Sequence, residues 1–187
     1  MLASGGGSNL QALLDALGPA APARVTRVVS NRPDAGALER ARQAGIPTTV
    51  LRDPTDATEL LSALAGSDLV VLSGYLKLLP APVVARFRDR TINIHPALLP
   101  RFGGPGMYGR RVHEAVLASG AQESGATVHY VDEHFDRGPI IAQRTVPVRA
   151  DDTADTLARR VLAVEHELLP QVVLELATRL LKERETR

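Results

Sequence analysis

The chain has 187 residues, 44% of them apolar and 23% charged, which is an ordinary composition for a globular domain with one sizeable core. Lysine plus arginine (22) nearly balance aspartate plus glutamate (21), so no concentrated positive charge predicts a nucleic-acid partner. Cysteine is absent, which excludes disulfides, thiol nucleophiles and cysteine-ligated zinc. Because no apolar run approaches the ~20 residues of a membrane helix and no leader opens the chain, we expect a cytoplasmic protein without a membrane partner.

Short apolar runs alternate with helical patterns, which predicts βαβ units and an α/β fold. We expect a single domain (residues 1–187) built on an open, mostly parallel, twisted sheet with helices on both faces, of the Rossmann-like kind. The predicted strands are Met1–Ser4, Val25–Ser30, Thr48–Leu51, Asp68–Ser73, Thr91–His95, Ala126–Val131 and Ile140–Val146. The predicted helices are Asn9–Leu17, Ala35–Ala44, Ala57–Ala65, Pro82–Phe87, Arg110–Ser119 and Thr153 to about Lys182, the last of them broken or kinked at Pro170.

The first strand leads into a glycine-rich loop. Met1–Ser4 is short against a usual length of about five or six residues, so either the strand is this short or residues precede it in the natural protein. Gly5-Gly6-Gly7-Ser8-Asn9 then opens a predicted helix, whose free N–H groups favour a phosphate. Leu10 replaces the third glycine of the dinucleotide pattern and no P-loop Gly-Lys is present, so a single phosphate or a plain turn remains.

The strand Thr91–His95 carries two polar side chains on one face. Side chains of a strand alternate with a period of two, so Asn93 and His95 face one way while the isoleucines between them face the other. Pro96 ends the strand because it has no N–H for the ladder. An amide and an imidazole then lie at the carboxyl end of a strand, where open α/β sheets bind ligands. The structural alternative is that His95 caps the strand end and Asn93 bonds a nearby loop.

Other polar residues are candidates for the same cleft. Asp136, in Asp136-Arg137-Gly138-Pro139, can return towards His95, orient its ring and raise its pKa, or it is a turn residue bonded to its own backbone. His129 lines the cleft or is a satisfied core histidine, whereas His113 is expected on a helix surface. No pair of histidines has zincin spacing, which argues against a metal site.

The last helical pattern places a glutamate beside an apolar stripe. Leu157, Val161, Val164 and Leu168 recur at helical spacing and are expected to pack on the sheet. Glu165 lies at the border of this stripe, where it can face a cleft and accept hydrogen bonds from hydroxyls. A solvated surface glutamate is the alternative.

Taken together, these motifs resemble the phosphoribosylglycinamide formyltransferase (glycinamide ribonucleotide transformylase) family of purine biosynthesis. Each motif alone is weak, but the ordered set is specific and covers nearly the whole chain. The motifs are Ser4-Gly5-Gly6-Gly7-Ser8-Asn9, Ser30-Asn31, Leu38-Glu39-Arg40-Ala41, Gly45-Ile46-Pro47, Leu72-Ser73-Gly74-Tyr75, Asn93-Ile94-His95-Pro96, Leu98-Leu99-Pro100, Asp136-Arg137-Gly138-Pro139 and Glu165-His166.

The resemblance implies a formyltransferase fold and transfer of a formyl group from 10-formyltetrahydrofolate, as co-substrate, to the primary amine of glycinamide ribonucleotide, without metal. It implies a catalytic set in which the amide and a protonated imidazole stabilise an oxyanion: Asn93, His95 and Asp136. It implies phosphate and ribose contacts for Gly7, Ser8, Asn9 and Glu165. It implies folate contacts for Tyr75, Leu76, Lys77, Leu78, Asn93, Val131, Asp132 and Glu133. The partners would be these small molecules, in a monomer or homodimer.

Three alternatives remain from the sequence. A formyltetrahydrofolate hydrolase shares the Asn, His and Asp set but is expected to carry an additional amino-terminal domain. A methionyl-tRNA formyltransferase is expected to carry a further carboxyl-terminal domain and a basic surface. A phosphate-binding module with an inactive site is the alternative outside the enzymes. The segment Arg52–Leu61 contains no obvious partner for the glutamate tail of a folate.

Overall fold

The computed structural model describes residues 1–186, so Arg187, the last residue of the predicted domain, lies outside the described residues. The strands are β1 (Val28–Ser30), β2 (Thr48–Val50), β3 (Val70–Ser73), β4 (Thr91–His95), β5 (Glu123–Tyr130) and β6 (Ile140–Pro147). The helices are α1 (Ser8–Ala16), α2 (Gly36–Gln43), α3 (Ala57–Ala63), α4 (Ala81–Arg86), α5 (Arg110–Ala118) and α6 (Ala154–Glu185).

The strands form an open, mixed sheet in which the first residues of the chain are central. β1 pairs with β2 and β3 pairs with β4, both in parallel. Leu2 forms parallel bridges to Val29 of β1 and to Leu72 of β3, and thereby joins the two pairs. β5 then runs antiparallel to β4, and β6 antiparallel to β5. The predicted first strand Met1–Ser4 is thus reduced to bridges at Leu2, which link the two pairs in the middle of the sheet.

Helices cover both faces of the sheet, as predicted. Alternate side chains of β3 point to opposite sides: Val70 and Leu72 pack in a core cluster with residues of α3 and α4, while Val71 packs in a cluster with residues of α1, α5 and α6. A third cluster joins α1 and α2 to Val28 of β1. A strand that is apolar on both faces is buried between two helix layers, which is what the continuous apolar runs indicate.

The structure differs from the predictions in several element bounds and at Pro170, and three of these differences have a clear physical reason. β1 begins at Val28 rather than Val25, because parallel pairing with β2 begins at the Val28–Thr48 partners. β5 begins at Glu123 rather than Ala126, because its antiparallel pairing with β6 extends to that residue. The predicted break at Pro170 is wrong: α6 continues through this buried proline, since packing against α1, α5 and β5 outweighs one lost backbone hydrogen bond.

Among the helices of residues 1–186, none combines the length and the apolar character needed to cross a membrane.

Candidate active site

A cavity of about 480 Å³ opens where several strands end. Its walls come from the segments that follow the first strand, β3 and β4, from the loop before α5, from the loop after β5, and from one side of α6. This is the edge at which open α/β sheets bind ligands. Three kinds of group line the cavity: a polar cluster, a glycine-rich loop and an apolar loop.

The polar cluster brings together the three residues predicted to be catalytic, with His129 as a fourth member. Asn93 and His95 lie at the end of β4, and Asp136 lies between the two imidazoles. The carboxylate is 3.5 Å from Nδ1 of His95 and 3.5 Å from Nε2 of His129. The Asn93 amide nitrogen is 3.1 Å from His129 Nε2 and donates to Asp136 Oδ1 at 3.4 Å. The predicted convergence of Asn93, His95 and Asp136 is therefore observed.

Backbone carbonyls determine which nitrogen of each imidazole carries a proton. His95 Nε2 is 2.8 Å from the carbonyl oxygen of Phe102, and His129 Nδ1 is 2.8 Å from that of Tyr130. A carbonyl oxygen only accepts hydrogen bonds, so both of these nitrogens carry hydrogen. In neutral His95, Nδ1 then presents its lone pair towards Asp136, while His129 Nε2 lies against both the Asn93 amide and the Asp136 carboxylate.

The pKa of His95 differs from the sequence-based expectation. His95 is 3% exposed, and this burial lowers its pKa; the charge of Asp136 and the bond to Phe102 raise it but do not compensate. Asp136 therefore acts on His95 in the expected direction, but the net pKa is lowered because desolvation outweighs the charge pair. Burial also raises the pKa of Asp136, but its hydrogen bond with His129, the charge of His95 and the N–H of Gly104 hold it below its usual value. The free site thus pairs a carboxylate with a neutral imidazole near neutral pH.

The glycine-rich loop has the geometry of an anion site at a helix start. Gly7 adopts φ +78°, and a Cβ there would lie 2.6 Å from Cα of Ala37, so only glycine fits. The first helical bond of α1 runs from Gln11 N to Gly7 O at 3.0 Å, which leaves the N–H groups of Ser8 and Asn9 ahead of the helical ladder. These groups line the cavity together with Gly5–Gly7, as the sequence predicted.

Asn9 and Glu165 meet at this end of the cavity. Asn9 Nδ2 donates to Glu165 Oε2 at 2.7 Å, and within residues 1–186 the buried Asn9 Oδ1 has no hydrogen-bond partner. Glu165 is 8% exposed, so the alternative of a solvated surface glutamate is wrong. Burial raises the pKa of Glu165 to about 7, although the bond from Asn9 acts in the opposite direction. Hydrogen-bond donors of a ligand would favour the ionised form of this carboxyl.

The loop after β3 gives the cavity an apolar wall. Tyr75, Leu76, Lys77 and Leu78 line the cavity, and so does Val131, as predicted. Leu76 and Leu78 are 45% and 41% exposed, which leaves apolar surface for a ligand. Asp132 and Glu133 are not among the described residues that line the cavity; Asp132 instead accepts a bond from the N–H of His134. Their contact with a folate stays a prediction.

Several residues of the site were not found from the sequence. His113 was expected on a helix surface, but it is 5% exposed and lines the cavity, and burial followed by the charge of His95 lowers its pKa. Its position three residues before the buried Val116, on the same helix face, was the available signal. Arg40 was quoted only as part of a motif, yet its guanidinium donates to Gly6 O at 2.9 Å beside the glycine loop.

No group of three or more His, Asp or Glu side chains in the described part of the chain has an arrangement that could hold a metal ion.

Comparison with known proteins identifies relatives over most of the chain. The family model described as formyl transferase matches residues 1–173. The chain is 47% identical to the chloroplastic phosphoribosylglycinamide formyltransferase of Arabidopsis thaliana over 91% of its own length, but spans only 62% of that protein. It is 40% identical to phosphoribosylglycinamide formyltransferase of Escherichia coli, covering 92% of this chain and 84% of the relative. The crystal structure of phosphoribosylglycinamide formyltransferase from Anaplasma phagocytophilum superposes with a TM-score of 0.88 at 40% identity, covering 95% of this chain and 84% of that one.

Proposed function

Because the chain belongs to the formyl transferase family, we propose that it transfers the formyl group of 10-formyltetrahydrofolate to the primary amine of glycinamide ribonucleotide. The observation that carries this proposal is that three kinds of group line one cavity. They are an anion loop with a buried carboxylate, the cluster of Asn93, His95 and Asp136, and the apolar loop after β3. A phosphorylated amine and a folate can therefore meet at the cluster.

The ribonucleotide fits the polar end. The N–H groups at the start of α1 and the hydroxyl of Ser8 would bind its phosphate, since helix starts favour anions. The guanidinium of Arg40, next to Gly6, would add positive charge to this subsite. Glu165 would accept hydrogen bonds from the ribose hydroxyls, and the partnerless Asn9 Oδ1 would accept a further one. The amine of the substrate would then extend from this end towards Asn93 and His95.

The folate fits the apolar end. The exposed side chains of Leu76 and Leu78, with Val131 opposite, would contact its rings. Lys77 lies on the same loop, where its ammonium can face a carboxylate at the mouth of the cavity. Burial of flat, apolar rings against such side chains is the usual source of affinity in small-molecule sites. The formyl group would thereby be held beside the polar cluster.

The polar cluster supplies the chemistry of acyl transfer. Attack of the amine on the formyl carbon places negative charge on the formyl oxygen. The Asn93 amide would exchange its long 3.4 Å hydrogen bond to Asp136 Oδ1 for one to this oxygen; loss of one such donor typically costs about 3 kcal/mol. His95 is neutral before the reaction, and the developing charge together with Asp136 favours its protonated form. His95 would accept the proton that the attacking amine loses and return it to the departing folate nitrogen.

Formyl transfer from 10-formyltetrahydrofolate to glycinamide ribonucleotide, measured without ATP or added metal, tests the proposal. Formation of formylglycinamide ribonucleotide in step with tetrahydrofolate supports it. Release of formate at the same rate with and without the ribonucleotide would instead indicate a hydrolase, and no turnover in either assay would indicate a binding module.

A further inference from the structure

A row of two hydrogen-bonded side chains, Thr127 and Gln143, lies next to the polar cluster and outside the described cavity lining. His95, Thr127 and Gln143 are direct neighbours across β4, β5 and β6, so their side chains project from one face of the sheet. Thr127 is fully buried, and its hydroxyl donates to Ala97 O at 2.6 Å and accepts from Leu99 N at 3.1 Å. Gln143 Nε2 donates to Thr127 Oγ1 and to Leu99 O, both at 2.9 Å.

This row holds the chain at the point where it leaves β4. The Thr127 hydroxyl uses its one donor and both of its acceptor positions, and the N–H and C=O of Leu99 are both bonded. Movement of the Ala97–Leu99 segment would leave several of these polar groups unpaired, which is unfavourable where they are buried. The segment is therefore fixed to the two neighbouring strands.

The loop that follows the fixed segment contacts both titratable residues of the cluster through its backbone. Phe102 O accepts from His95 Nε2 at 2.8 Å, and Gly104 N donates to Asp136 Oδ2 at 2.9 Å. The first contact determines which nitrogen of His95 carries hydrogen, and the second orients the carboxylate that faces the ring. The loop backbone is thus the element that sets the mutual geometry of His95 and Asp136.

We propose, on the basis of the formyl transfer proposed above, that Thr127 and Gln143 are positioning residues that anchor the loop whose backbone orients His95 and Asp136. Neither residue belongs to the cavity lining that the structure describes, so their effect passes through Ala97–Leu99 and the loop rather than through substrate contact. Their loss is expected to affect the reacting geometry more than the binding of either substrate.

Two substitutions remove the anchor and two serve as references. Thr127→Val keeps the shape but removes the hydroxyl, and Gln143→Met removes both donated bonds on an exposed strand position that folding tolerates. Thr127→Ser retains the hydroxyl and should restore function. Thr145→Val is the matched control, because Thr145 is an exposed threonine on the same strand as Gln143.

The readouts are steady-state kinetics and ¹⁵N NMR of the His95 ring nitrogens in the free enzyme. We expect kcat to fall about 10-fold to 100-fold in Thr127→Val and Gln143→Met, as for small misplacements of reacting groups. We expect both KM values to stay within about twofold, since ground-state contacts remain. The His95 ring shifts should change in the same two variants and match the wild type in Thr127→Ser and Thr145→Val.

Wild-type kcat in Gln143→Met overturns the proposal, as does a reduced kcat with unchanged His95 ring shifts. If Thr127→Val does not fold, Gln143→Met decides the question alone. If the wild-type protein transfers no formyl group, the function proposed above fails; the NMR comparison of His95 still tests the anchor, because it needs no turnover.

Discussion

Replacement of Glu165 by glutamine tests the buried carboxylate at the polar end of the cavity. Burial raises the pKa of Glu165 from 4.5 to about 7, so the folded protein favours the protonated side chain while the unfolded chain does not. Below the pKa of the unfolded chain, the Glu165 carboxyl is protonated in both states, so it does not reduce the free energy of unfolding. As pH rises from there to about 7, only the unfolded chain ionises, and the folded state loses about 3 kcal/mol of stability, which then stays constant.

Glu165→Gln removes this titration and keeps an oxygen that can accept from Asn9. The variant should therefore gain stability relative to the wild type as pH rises: little at about pH 4 and about 3 kcal/mol at about pH 8. Urea unfolding of both proteins at the two pH values measures the difference. Glu167→Gln, at a 66% exposed side chain two residues further along α6, is the control and should change by at most about 1 kcal/mol at either pH.

The same titration should appear in ligand binding. Ribose hydroxyls donate to the ionised carboxylate, so the affinity of the wild type for the ribonucleotide should rise with pH until about pH 7. In Glu165→Gln this pH dependence should be lost and the affinity should be lower at neutral pH. A stability difference between wild type and Glu165→Gln that is the same at both pH values would refute the reasoning, because the carboxyl would then titrate alike in both states.

Three further substitutions test the rest of the site. Asp136→Asn should lower the pKa of His95 further, measured by NMR titration, because the charge that raises it is removed; an unchanged pKa would contradict the pairing. Arg40→Ala should raise KM for the ribonucleotide but not for the folate, and an equal rise in both would remove Arg40 from the phosphate subsite. Gly7→Ala should destabilise the fold in chemical denaturation by more than Gly45→Ala, for which roughly 1 kcal/mol is expected. Both glycines have positive φ, but only a Cβ at position 7 would collide with the backbone of α2. Equal losses of stability would contradict this packing.

The fold was predictable because its signals are local. Apolar runs and helical spacing located each strand and helix, and the period-two alternation placed Asn93 and His95 on one face. The bounds of β5 were not predictable, because they depend on how far β5 and β6 pair, and neither segment specifies this alone. Pro170 was misjudged for the same reason: propensity describes an isolated helix, whereas α6 is stabilised by packing against α1, α5, β5 and β6.

The contacts of the site were less predictable than its members. Asn9 and Glu165 are 156 positions apart, and the local sequence of neither residue indicates the other. Their hydrogen bond and the raised pKa of Glu165 could therefore be recognised only in the folded structure. The sign of the His95 shift required knowledge of its burial, because the sequence shows the charge partner but not the desolvation. The contact from Phe102 is made by its backbone carbonyl oxygen. Because every residue has this group, the sequence does not indicate which residue makes the contact.

The change from parallel to antiparallel pairing at β4 and β5 explains why these groups meet. In a parallel pair the chain leaves both strands at the same edge, so mid-strand side chains of a neighbour lie away from that edge. The antiparallel β5 instead brings His129 opposite Asn93 and Thr127 opposite His95. The alternation of β5 already places Thr127 and His129 on one face. The register then places Thr127 at the anchored loop and His129 in the cluster around Asp136. A shift of β5 by one residue would turn both side chains to the opposite face and remove both contacts.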